Sequence, residues 1–239
     1  MSEAHAYPWQ YGERAAELGA EPPPGSPRAV DQTVPQESRP RTMSVLPPLR
    51  PRPRRGNLRE VAEKIEKSTG LRVQIVGGSL VMSPTPRGKH TGTVVRLRRQ
   101  IEESLREGLG AYEVSSIAMP GDPDDYVTPD LVLLPTEWED DDDWLIDPLD
   151  VELAVEVISQ SEKARDISQK NDWYAVAGVR ALLVIDPRHG TWALHTQPRD
   201  GAYQDALRGK YGEEIPLAEP LSLALTTDHL PLYGSDGAR

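Results

Sequence analysis

The stretch that most constrains the fold is Asp150 to Pro187, DVELAVEVISQSEKARDISQKNDWYAVAGVRALLVIDP. Val151 to Ile158 is β-branched and apolar at nearly every position except Glu152 and Glu156. That pattern predicts a strand buried on both faces, where a carboxylate needs a reason. Ser159, Gln160 and Ser161 break the run, with Ser161 the expected N-cap of a helix that continues to Ala177 and ends at Gly178 as its C′ residue. Val179 to Ile185 then reads as a second buried strand. The unit is strand, helix, strand, and its leftover polar residues are Glu156, Asp166 and Lys170.

At 239 residues and 37 % hydrophobic content the chain holds one ordinary core with tails. The expected divisions are a tail over 1–56, one α/β domain over 57–230 and a short tail over 231–239. The first tail is rich in proline and poor in large apolar residues, so it buries too little to offset the entropy of ordering. Its last part, RPRTMSVLPPLRPRPRR, is basic and free of acids; it reads as a solvated extension or as an arm for nucleic-acid phosphate. No cysteine is present, which excludes disulfides, thiolate zinc sites and cysteine nucleophiles and is compatible with a reducing, cytoplasmic setting. Nowhere do eighteen apolar residues run together, and no signal pattern opens the chain, so a soluble, unexported protein with no membrane partner is expected. A net charge of -11 argues against non-specific nucleic-acid binding by the whole surface.

From Asn57 an apolar period of helical type (Leu58, Val61, Ala62, Ile65) runs to Gly70, with Asn57 as its cap. Leu71 to Val76 and Leu80 to Met82 form a hairpin across Gly77-Gly78. The loop SPTPRGKH leads into a helix from about His90 to Glu107, whose stripe is Val94, Leu97, Ile101 and Leu105. Tyr112 to Met119 reads as one strand, GDPDDYVT as a loop, and Asp130 to Leu134 as a strand opened by Pro129. The acidic segment from Pro135 to Asp150 reads as a solvated loop, because successive side chains of the Asp140 to Asp143 run point in opposite directions and cannot converge on one ion. Thr191 to Thr196 pairs with Leu182 to Ile185 across PRHG, and the remainder reads as edge strands and loops.

Asp130 begins one strand and Glu156 ends another, so if the two strands are neighbours their carboxylates meet at one rim of the sheet. Two such acids with water and phosphate oxygens suit magnesium or manganese. Lys170 lies on the helix that packs back over the sheet, about 60° from apolar Ile167 at about 100° per residue, and can reach inward. An ammonium there would stabilise an attacking hydroxide or charge developing on phosphate. Taken singly, each residue has an ordinary reading: a turn aspartate, a solvated strand glutamate, an Asp166–Lys170 surface ion pair. Their order across strand, strand and helix carries the argument.

The motifs PDLVLLP, LAVEVISQS and RDISQKNDWYAVAGVRALLVIDP resemble the Uma-two family of restriction endonucleases in the PD-(D/E)XK nuclease superfamily, and GGSLVMSPTPRGKH resembles that family's opening hairpin and histidine-bearing loop. The resemblance covers roughly Leu71 to Leu194. It implies a restriction-endonuclease-like mixed β-sheet flanked by helices with an N-terminal hairpin extension, and Mg²⁺-dependent (or Mn²⁺-dependent) hydrolysis of DNA phosphodiester bonds. Asp130 and Glu156 would hold the metal, with the carbonyl of Val157 or Ile158 as a further ligand. The superfamily's lysine two residues after the glutamate is replaced here by Ile158; Lys170 matches a lysine moved to the helix and would assist the attacking water. His90 matches a histidine able to contact phosphate or metal water, and Asp166 a residue supporting Lys170. Two departures stand out, Gln74 where the family commonly has an acid and Leu182-Leu183 where it tends to have an aromatic. Phosphate contact would fall to Arg87, Lys89, Arg96 and Arg99, and a homodimer would bring two such sites to one duplex. The alternative is a catalytically inactive nuclease fold serving as a nucleic-acid-binding or protein-interaction module. Deleting residues 1–55 is expected to leave the thermal unfolding midpoint within about 2 °C of the full chain, since such a segment adds no core.

Overall fold

The structure, a computed structural model, describes residues 57–83 and 85–234. The tail expected over 1–56, residues 235–239 of the tail expected over 231–239, and the capping role of the Asn57 side chain lie outside the described residues.

Three α-helices and thirteen strands follow one another along the described chain. Helix α1 (Asn57–Thr69) precedes the hairpin β1 (Arg72–Val76) and β2 (Ser79–Ser83), and α2 (Gly88–Ser104) follows. Next come β3 (Leu109–Tyr112), β4 (Ser116–Met119), β5 (Asp122–Val127), β6 (Leu131–Pro135), the two-residue β7 (Leu145–Ile146) and β8 (Leu153–Val157). Helix α3 (Ala164–Ala177) leads to β9 (Ala181–Asp186), β10 (Thr191–Arg199), β11 (Ala202–Lys210), β12 (Ile215–Leu217) and β13 (Leu223–Leu225). The strands form a six-stranded mixed sheet ordered β11-β10-β9-β8-β6-β3, a five-stranded sheet ordered β2-β1-β5-β4-β7, and the small pair β12-β13. This is the expected α/β class with a mixed sheet flanked by helices.

Period-two alternation in the six-stranded sheet sorts its apolar residues between the two helices. Leu131, Leu133, Leu153, Val155, Val157, Leu183 and Ile185 pack with Val94, Leu97 and Ile101 of α2. Their neighbours Val132, Leu134, Ala154, Leu182 and Val184 pack with Trp173, Tyr174 and Ala177 of α3 and with residues of the five-stranded sheet. Both faces are covered, so the central strands read as unbroken apolar runs. Only β8 and β9 run parallel within this sheet, joined by the α3 crossover.

Four sequence expectations change. Helix α3 starts at Ala164 with Lys163 at its N-cap position, so Ser161 does not cap it. The Glu162 N–H instead donates to the Ser159 carbonyl, and the Glu162 carboxylate accepts from the Ser159 N–H at 3.1 Å, closing a separate turn. The stretch from Tyr112 to Met119 is two strands in different sheets, broken at Val114, whose φ of 62° is strained for a β-branched residue. GDPDDYVT is not a loop, because Asp122–Val127 is β5, paired with β4 and β1. Its aspartates look wrong for a strand, but Asp125 is buried with partners in hand: Trp173 Nε1 donates to it at 2.9 Å, and the backbone N–H groups of Gly77 and Gly78 face it and favour its charged form. Finally, the acidic segment is not loop throughout, since Leu145–Ile146 pairs parallel with β4, whereas Asp140 to Asp143 are exposed as expected.

The hairpin turn behaves as the Gly77-Gly78 dipeptide requires, with φ of 57° and 73°. Gly178 caps α3 in the left-handed region at φ 91°, its N–H donating to the Tyr174 and Ala175 carbonyls. Asp125 thus ties the hairpin turn to α3. Replacing Asp125 with Ala strands three donors and is expected to cost about 2–3 kcal/mol of unfolding free energy in urea titration, whereas Trp173→Phe removes one hydrogen bond and costs about 1 kcal/mol.

Candidate active site

Strands β6 and β8 are antiparallel neighbours with Leu131 opposite Val155. One step further along that register sets Asp130 opposite Glu156, both on the face turned towards α3. The Asp130 N–H continues the ladder by donating to the Val155 carbonyl at 3.0 Å. Its carboxylate accepts from the Val157 N–H at 2.8 Å through Oδ2, and Oδ1 lies 2.9 Å from His90 Nε2 on the first turn of α2. The Glu156 side chain is buried, 8 % exposed, and both oxygens are engaged. Lys170 Nζ donates to Oε2 at 2.8 Å, and the Tyr174 hydroxyl, one turn further along α3, donates to Oε1 at 2.7 Å. Glu162 stands 3.8 Å from the same ammonium.

The electrostatics follow from burial and from the acids' proximity. Burial and then the Asp130 charge push the Glu156 carboxyl above its ordinary range, while the Lys170 ammonium and the Tyr174 hydrogen bond oppose them. Lys170 is desolvated, which favours its neutral form, yet Glu156 and Glu162 outweigh this and hold it protonated more firmly than a free lysine. Burial also opposes protonation of His90, but the hydrogen bond and charge of Asp130, with those of Glu156 and Glu162, raise it above 6.5. Tyr174 is pushed well above its usual value by burial and by Glu156, so its hydroxyl stays a donor.

A family profile described as "Putative restriction endonuclease", Uma2, matches residues 59–229. The chain belongs to the Uma2 family. It also resembles a crystal structure of a "putative nuclease" belonging to DUF820 from Anabaena variabilis, at 16 % identity and a TM-score of 0.55, over 68 % of this chain and 90 % of that one. No curated protein matches the chain. The restriction-endonuclease-like fold and a nuclease-like function at the level of the family stand on these likenesses. Among the described residues no helix is long and apolar enough to cross a membrane.

The residues singled out in the sequence are therefore found as follows. Asp130, Glu156, Lys170 and His90 come together, with His90 joined to Asp130 and Lys170 to Glu156. Ile158 is buried in the α3-side core, and its N–H donates to the Ile185 carbonyl at 2.8 Å. Asp166 does not support Lys170: it is exposed, and among the described residues the ion-pair partners of Lys170 are Glu156 and Glu162. Gln74 is 3 % exposed, and its Oε1 has no hydrogen-bond partner among the described residues. Tyr174 was missed, although its place four residues after Lys170 on the same helix face was a usable signal. Glu162 and Tyr233, whose hydroxyl lies 3.4 Å from His90 Nδ1, carried no signal because loops position them.

The donor set suits a hard divalent cation. Asp130 and Glu156 supply carboxylate oxygens with lone pairs left over, and the Glu156 carboxyl is raised first by burial and then by the like charge of Asp130, which a cation would offset. Among the described residues no group of three or more His, Cys, Asp or Glu side chains forms a ready cage, so water and substrate oxygens would complete the shell.

Because His90 is raised above 6.5 in the folded chain, its contribution to stability is fully present below that pH and lost as the pH rises through the folded value. The difference in unfolding free energy between wild type and His90→Asn is thus expected to be steady between about pH 5.5 and 6.5 and to shrink above it, with the His90 ring protons titrating late by NMR. A difference that grew with pH would contradict the assignment.

Proposed function

We propose that the chain is a metal-dependent endonuclease that hydrolyses DNA phosphodiester bonds at Asp130, Glu156 and Lys170. The observation that supports this best is the convergence of two carboxylates from adjacent strands, one of them held by a helix-borne ammonium at 2.8 Å. In this reading Asp130 and Glu156 hold Mg²⁺ or Mn²⁺, with the carbonyl of Val157 or Ile158 as a further ligand. When bound, the cation supplies Lewis-acid polarisation of the phosphate.

The chain's own groups do the rest. Lys170 is held protonated, so it acts as a fixed positive charge that orients the attacking water and stabilises charge growing on the phosphoryl oxygens, not as a proton acceptor. Tyr174 fixes the rotamer of Glu156, leaving the other lone pairs of that carboxylate free to face the substrate. The Val157 N–H and His90 clamp Asp130 in the same way. Water attacks phosphorus in line, the bond to the leaving oxygen breaks, and solvent receives the attacking proton and supplies one to the leaving group.

A second reading, a catalytically inactive module on the same fold, has one observation in its favour: Lys170 and His90 already engage the two acids, and no three-ligand cage is formed among the described residues. One experiment separates the two. Purified protein is incubated with plasmid and single-stranded DNA with Mg²⁺, Mn²⁺ or chelator. Metal-dependent cleavage is expected, abolished in Asp130→Ala and Glu156→Ala and reduced about 100-fold or more in Lys170→Ala. If the two acid variants alter neither calorimetric Mn²⁺ affinity nor cleavage, the nuclease reading fails.

A further inference from the structure

A chain with a net charge of -11 can approach a polyanion only through local cations. Those expected from the sequence do not converge on one side of the site. At about 100° per residue along α2, Arg99 lies about 180° from His90, and Lys89 and Arg96 lie on one flank, where Lys89 Nζ donates to the Leu232 carbonyl at 2.8 Å; Arg87, at the N-cap position, donates to Gln160 Oε1 at 3.3 Å.

The other flank holds a cleft of about 50 Å³ that the sequence did not announce. Asp130 and His90 line it together with Arg72, Pro86, Thr91 and Val114. It has room for a phosphoryl group and none for a base. Three features of its wall are unexplained by folding alone. Arg72, the first residue of β1, is half-buried and has no ion-pair partner among the described residues, whereas Arg98, Arg180 and Arg188 are each paired with a carboxylate. Glu113 also lines the cleft and would be the natural partner of Arg72, but its carboxylate is held by Arg98 at 3.2 Å. Val114 is 69 % exposed and strained at φ 62°, a poor choice at a crossover where glycine or asparagine fits better. Strain and an exposed apolar side chain at one residue, in the cleft that Asp130 lines, mark a contact surface.

We propose that this cleft seats one phosphate of a nucleic-acid strand as the strand tracks to the site: Arg72 grips the phosphate next to the scissile one, and exposed Val114 presses on the adjoining sugar or base. The guanidinium fork matches two phosphate oxygens, which an arginine beside Asp130 with no ion-pair partner among the described residues can take. The valine supplies an apolar surface for the less polar part of the nucleotide. The inference rests on the nuclease reading above, and it names residues that the reading does not need.

The test is binding, separated from cleavage. Fluorescence anisotropy with labelled duplex and single-stranded DNA, with Ca²⁺ in place of Mg²⁺, is measured from about 50 to 200 mM salt. Arg72→Ala is expected to weaken binding about tenfold and to reduce the log–log salt slope by about one, while Arg72→Lys restores the slope but only part of the affinity. Val114→Gly weakens binding without changing the slope, and its thermal midpoint does not fall. Arg99→Ala binds as wild type. If wild type binds while Arg72→Ala binds within twofold and keeps its slope, the track is refuted and the nuclease reading survives. If wild type neither binds nor cleaves, both are refuted together.

Discussion

A carboxylate buried in the middle of a sheet is the constraint around which this molecule is arranged. Glu156 sits between Val155 and Val157 on a central strand, with another acid across the ladder, and an ionised group there is tolerated only with partners. Lys170 and Tyr174 are those partners, one for each oxygen. Both come from α3, so the helix cannot slide or rotate without stripping the carboxylate. The parallel β8-α3-β9 crossover is therefore more than a connection. Removing one member of such a pair leaves an uncompensated buried charge, at a cost of about 3–5 kcal/mol, which is why the arrangement is rigid even before any ligand arrives.

The five-stranded sheet gains meaning from the same helix. Its hairpin turn, Gly77-Gly78, is held by Asp125, and Asp125 is held by Trp173 of α3. Gln169 on that helix also donates to the Val76 carbonyl at 3.3 Å. One face of α3 thus carries the ammonium and hydroxyl for Glu156, while its flank anchors the strands that bring Arg72 towards the site. Packing of the second sheet and geometry of the acid pair are coupled through a single rigid element, seated at its end by Gly178 in the left-handed conformation.

How much of this was legible in the sequence depends on the range of the interaction. Elements set by local pattern were read well: the β8-α3-β9 unit, the glycine hairpin and the pairing of β9 with β10 across PRHG. The acid pair was also legible, because an isolated glutamate in an apolar run and an aspartate opening a strand are visible without coordinates. What failed needed distant partners. The aspartates of β5 look like loop residues until Trp173 and the hairpin N–H groups are seen to satisfy them. Ser161 looks like a cap, but the Glu162 carboxylate holds the Ser159 N–H and delays the helix to Ala164. Asp166 has the right spacing for Lys170, yet the ammonium turns to Glu156 and Glu162. A spacing rule gives neighbours on a surface; it does not say which neighbour is desolvated, and the buried acids attract the ammonium most strongly.

The place of Lys170 on a helix, not on the strand that bears Glu156, has a physical consequence. With Ile158 two residues after Glu156, the strand end is apolar and packs into the α3-side core. A lysine at that position would project on the same face as Glu156 and place its stem in that core. From α3, fourteen residues further on, the side chain instead meets Glu156 from the helix side at 2.8 Å, with Tyr174 reinforcing it from the next turn. The charge is then positioned by tertiary packing of Trp173, Tyr174 and Ala177 and not by the strand that bears the acid. Acid and ammonium sit on separate elements, and the packing of α3 on the sheet sets their distance.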